Sequence, residues 1–118
     1  MIKVEIELDE KKIMQDNKYL PESIMNTLDD VFAKKNQPIL EADSFRRVYR
    51  DSGNPEKDFA VLGNLILNLA EKDWFLPYAK KILWYNSEDG NNENDFNVED
   101  FLKTIISNNV GVSYLCRN

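Results

Sequence analysis

The chain has 118 residues, 42% of them hydrophobic and 11% aromatic, and a formal net charge of −6. That length suits one domain, 1–118, with its own buried core, and the aromatic content argues against intrinsic disorder. No apolar run approaches the ~18 residues that span a bilayer, and a net acidic chain is a poor match for nucleic acid, which needs a basic surface.

Residues 1–12, MIKVEIELDEKK, alternate apolar and charged side chains. Ile2, Val4, Ile6 and Leu8 share one face of a half-buried strand, and the segment lacks the apolar h-region of a signal peptide. A short helical turn is expected through Ile13 and Met14. Pro21 suits the first turn of a helix, where its missing N–H would be unpaired anyway. Ile24, Met25, Leu28, Val31 and Phe32 follow at helical spacing, which predicts an amphipathic helix over 21–35. Pro38 closes that region. Residues 43–50, DSFRRVYR, read as a second strand, and DSGNP at 51–55 as a break.

Residues 57–70, KDFAVLGNLILNLA, are apolar on nearly every side apart from Asn64 and Asn68. They are expected to be a buried central helix, with Gly63 tolerated because it allows close packing. Another helix is expected from Asp73–Pro77 to about Tyr85. Asn97 is placed as N-cap of a last helix over 98–107, with Asp100 in the position of a capping-box acid and Phe96 and Phe101 as a hydrophobic staple. Val110 to Cys116 is rich in β-formers and reads as a third strand. The expectation is an α+β domain: a small, about three-stranded sheet covered by four to five helices, in the order β-α-β-α-α-α-β.

The charge is concentrated. Residues 86–100, NSEDGNNENDFNVED, hold six acids and no base, and the rest of the chain balances at 15 acids to 15 bases. Such a segment attracts a cation or a basic partner. Laid on the EF-hand pattern, Asp89, Asn91, Glu93, Asp95, Asn97 and Asp100 fall at the liganding positions of a calcium loop. Asn94 stands where the turn glycine belongs, and Asp100 is one methylene shorter than the usual bidentate Glu. The predicted cap at Asn97 and Asp100 competes for the same oxygens.

Catalytic groupings are sparse. The chain has no histidine, the commonest general base and metal ligand. Cys116 is the single cysteine, so no internal disulfide forms and a reducing cytoplasm is the simplest location. Four scattered glycines make no nucleotide-binding loop. Arg46, Arg47 and Arg50 on one strand alternate in direction and read as solvated charges that guard an edge. In a helix ending at Tyr85, Lys80, Lys81 and Trp84 share an outer face, which makes Trp84 a candidate for an exposed aromatic beside the acidic loop, the alternative being a Trp packed across a neighbouring helix.

These features favour a non-catalytic protein-binding domain without a cofactor over an enzyme. The expected partner is a basic protein, as for a small acidic inhibitor or immunity-type protein of bacterial type, with neither nucleic acid nor membrane involved. The expected contact residues are Trp84, Tyr85, Glu88, Asp89, Glu93 and Asp95. The alternatives are a module regulated by calcium at 89–100 and a small enzyme using carboxylates.

Overall fold

The computed structural model describes residues 2–53, 55–86 and 97–107. The alternating N-terminal segment forms strand β1 (Ile2–Leu8), and helix α1 (Glu10–Asp16) follows directly. Asp9 starts that helix by accepting a hydrogen bond from the Lys12 N–H at 3.1 Å. Helix α2 (Pro21–Ala33) begins at the expected proline and buries Ile24, Met25, Leu28 and Phe32. Next come strands β2 (Ile39–Asp43) and β3 (Arg46–Arg50), helix α3 (Pro55–Ala70), a 3₁₀ turn at Leu76–Tyr78, strands β4 (Ala79–Asn86) and β5 (Asn97–Asp100), and helix α4 (Phe101–Ser107).

The expected three-stranded sheet is corrected to a five-stranded one, fully antiparallel, in the spatial order β2-β3-β1-β4-β5. Four helices accompany it among the described residues, and the sequential order is β-α-α-β-β-α-β-β-α. The helix expected up to Tyr85 is instead β4. Its apolar run ILWY is too short for periodicity to decide between helix and strand. Pairing decided it, because β4 lies against β1 from Ile2↔Asn86 to Leu8↔Ala79. Strand β2 escaped notice because all five of its residues are exposed, so it carries no alternating apolar signal. The strand expected over 43–50 begins at Arg46, since Asp43 ends β2 and Ser44–Phe45 turn the chain. Ser44 takes φ +52°, the positive φ that a tight hairpin requires at its first central position.

The start of the last helix also moves. Residues 97–100 pair with β4 as β5, so the backbone at Asn97 is strand and the helix begins later. Asp100 takes the cap, accepting from the Lys103 N–H at 3.1 Å. Phe96 of the expected staple and the strand expected at 110–116 lie outside the described residues.

The core sits on one face of the sheet. Ile2, Val4, Ile6 and Leu8 join Tyr49, Ile82 and Trp84 in a single buried cluster with Ile13, Leu28, Phe32, Leu62, Ile66, Leu69 and Ile105 from the four helices. The Phe32 ring stacks on Tyr49 with centroids 3.8 Å apart. On the same face the Asp29 carboxylate accepts from the Tyr49 hydroxyl at 2.6 Å and from Arg47 Nε at 3.1 Å, tying α2 to β3. Helix α3 is central to this cluster but one-sided: Leu62, Leu65, Ile66 and Leu69 are buried while Asn64, Leu67 and Asn68 are exposed. A Cβ on Gly63 would meet nothing within 4 Å, so the close packing expected there is absent. No helix among the described residues is long and apolar enough to cross a membrane.

Candidate partner-binding surface

Adjacent strand residues point to opposite faces, and this separates the two aromatics expected to act together. Trp84 enters the core, 6% exposed, with its ring 5.5 Å from that of Phe101. It is a packing residue and not an exposed anchor. Tyr85 lies on the opposite, polar face, where its hydroxyl donates to Glu5 Oε1 at 2.9 Å and its ring lies 5.1 Å from the Lys3 ammonium. Glu88, Asp89, Asn91, Glu93 and Asp95 lie outside the described residues. Of the remaining oxygens considered for calcium, those of Asp100 serve the start of α4: Oδ1 as the cap and the backbone carbonyl as acceptor for Thr104.

The polar face is an ionic lattice around Glu5. Its register neighbours are Val48 on β3 and Leu83 on β4. The side chain is 9% exposed and accepts from Arg46 Nε at 2.9 Å, with Lys81 Nζ at 3.6 Å. Burial alone would raise its pKa. The hydrogen bonds from Arg46 and Tyr85 and the nearby positive charges outweigh that, and Glu5 is held below the ordinary carboxylate range. Tyr85 is shifted upward, first by burial and then by donating to Glu5.

The three arginines are therefore not solvated edge guards. β3 is an interior strand, and Arg46 bridges Glu5 and Glu41, Arg47 pairs with Asp29, and Arg50 lies 3.7 Å from Asp51. Lys80 and Lys81 reach Glu7 and Glu5 respectively, across the β1–β4 pairing rather than from a helix surface. Among the described residues, no three His, Cys, Asp or Glu side chains converge as a metal site.

What sequence reasoning missed is an apolar groove of about 500 Å³ between α1, the start of α2 and the β2–β3 turn. Met14 (62% exposed) and Leu20 (72% exposed) line it together with Pro21 and Phe45. Among the described residues its charged lining is Glu10 and Glu22, with no Lys or Arg. Each apolar residue has a local reason to be there. Ile13 takes the buried side of the short α1 and leaves Met14 outward. Leu20 is the N-cap of α2, extended at φ −78°, ψ 126°, as a residue before proline must be, and it makes no side-chain cap. A leucine at a position that favours Ser, Thr, Asp or Asn was the signal available in the sequence. A second groove of about 590 Å³ shares Glu10 and Phe45 and is lined by Glu7, Asp9 and Asp43 beside Lys11, Arg46 and Lys80.

Set against protein-family models, curated proteins and solved structures, the chain finds no match in any of the three.

Proposed function

We propose that this protein is a non-catalytic binding domain that engages a basic protein partner, in the manner of a small acidic inhibitor or immunity-type protein. The observation that carries the proposal is the groove lined by Met14, Leu20 and Phe45 together with two acids, Glu10 and Glu22, as its charged lining residues. Apolar side chains held in the open offer an anchor pocket, and a rim of one charge sign selects what enters it. An apolar side chain flanked by Lys or Arg satisfies both requirements. The acidic run at 86–100 adds a long-range attraction for the same kind of partner.

Leu20→Ser tests the reading because it separates binding from folding. Serine supplies the missing cap, so the variant gains about 0.5–1 kcal/mol of stability, while the groove loses its most exposed apolar side chain. Wild type and variant are immobilised in native lysate, and bound proteins are identified with residue-level cross-links. The expected result is a basic protein cross-linked around α1 and the β2–β3 turn by wild type and lost from the more stable variant. Equal capture by both, or a captured partner that is acidic, removes the proposal.

A further inference from the structure

Strand β2 is an edge of the sheet. One side of it is hydrogen-bonded to β3, its other side meets no described strand, and all five of its residues are exposed. An exposed strand edge presents N–H and C=O groups ready to pair with another extended chain. The side chains decide which chain fits. Glu41 pairs with Val48 and Asp43 with Arg46, which places both acids on the polar face of the sheet. There the Arg46 guanidinium turns inward to Glu5 at 2.9 Å and reaches Glu41 only at 3.5 Å. The outer edge of that face is therefore acidic. Ile39 (45% exposed) and Leu40 (43% exposed) add apolar area at the start of the strand.

A second copy laid antiparallel along β2 in the register centred on Ala42 would set Glu41 and Asp43 against the same acids of its neighbour, and like charges directly opposite destabilise strand pairing. A strand with Lys or Arg at every second position would meet those acids with opposite charge. Such a strand also runs toward the apolar groove, because β2 leads straight into the turn that carries Phe45.

We infer that β2 is a docking edge for an extended segment of the partner, bearing Lys or Arg at alternate positions and added to the sheet outside β2. The inference rests on the partner-binding reading above and gives its mode of engagement.

Two synthetic heptapeptides test it, one alternating Val and Lys and one alternating Val and Glu, each added to the full chain at low salt. Amide hydrogen exchange is read residue by residue. The Val/Lys peptide is expected to slow exchange at Ile39–Asp43. From two opposite-charge cross-strand pairs it should bind about tenfold tighter than the Val/Glu peptide. The doubly substituted Glu41→Lys, Asp43→Lys chain should reverse that preference. Asp43→Lys alone, which leaves the Arg46–Glu41 bridge in place, should reduce it, with thermal melting checking that each variant is folded. Absence of protection at β2, protection unchanged in the folded variants, or protection that instead grows with protein concentration in the absence of peptide overturns the inference. Perturbation confined to Met14, Leu20 and Phe45 would remove the edge mode and leave the groove reading standing, whereas loss of the Leu20→Ser effect removes the groove reading itself.

Discussion

Glu5 shows how a carboxylate on a sheet face becomes part of the fold. Its neighbours in register are apolar, and among the described residues Arg46, Lys81 and the Tyr85 hydroxyl make its burial tolerable. With its folded pKa below the ordinary value of 4.5, its contribution to stability is fully present above that value and is lost as pH falls through the folded pKa. Denaturant titrations from neutral to acidic pH should therefore show wild type losing stability below pH 4.5 more steeply than Glu5→Gln. Parallel curves would mean that the network contributes nothing. Trp84 makes the opposite point. An indole that is 6% exposed and packed on Phe101 contributes through burial, so Trp84→Ala should cost about 3–5 kcal/mol in a denaturant titration, as Trp truncation in a core does. A loss below about 1 kcal/mol would return Trp84 to the surface, since surface changes stay near that small range.

At the level of elements, β4 and β5 are segments whose local pattern reads as helix and whose tertiary pairing makes them strands. Lys80, Lys81 and Trp84 have helical spacing, and Asn97 precedes a helix-like run, so each segment allows a helix by itself. The flank of β1 would then be left with unpaired backbone groups beside a buried core, which is costly. β4 fills that flank, and β5 in turn pairs with β4 from Leu83↔Asp100 to Asn86↔Asn97. Helix α4 consequently starts three residues later than expected, with Asp100 in place of Asn97 as its cap. Helix α3 forms where its apolar run indicated, but it is buried on one side instead of nearly all round, and Gly63 lacks the close packing expected of it. With open space where a side chain would go, Gly63→Ala should raise stability by up to about 1 kcal/mol, the helix-propensity difference. Thermal or chemical denaturation checks this, and any destabilisation would reveal a packing constraint at that position.

For the molecule as a whole, the arrangement of charge matters more than its total. Arg46, Arg50, Lys80 and Lys81 are drawn into pairs with Glu5, Glu7, Glu41 and Asp51. The excess acids sit in the 86–100 segment, and the charged residues that line the groove are Glu10 and Glu22. Charges of this kind act on encounter rather than on residence. Replacing Glu88, Asp89, Glu93 and Asp95 with the corresponding amides should slow association with a basic partner and flatten its dependence on ionic strength. Dissociation should stay nearly unchanged. Stopped-flow or surface-binding kinetics at several salt concentrations would read this directly, and an unaltered on-rate at low salt would leave the segment without a part in binding.

The sequence by itself determined β1, α2 and α3, because each carries its own periodicity or start signal: alternation in IKVEIEL, Pro21 at the head of α2, and the apolar run of α3; of α1 it indicated only a short helical turn at Ile13 and Met14. It also located the charge, which is a property of composition. The tertiary structure alone decided that Ala79–Asn86 is a strand, that the exposed Ile39–Asp43 closes one edge of a five-stranded sheet, and that Trp84 faces inward while Tyr85 faces out. It also decided the groove, whose lining comes from α1, the entry to α2 and the β2–β3 turn. Residues that far apart in the chain meet only when strand pairing brings their elements together, and strand pairing leaves no mark on the local pattern of a short segment.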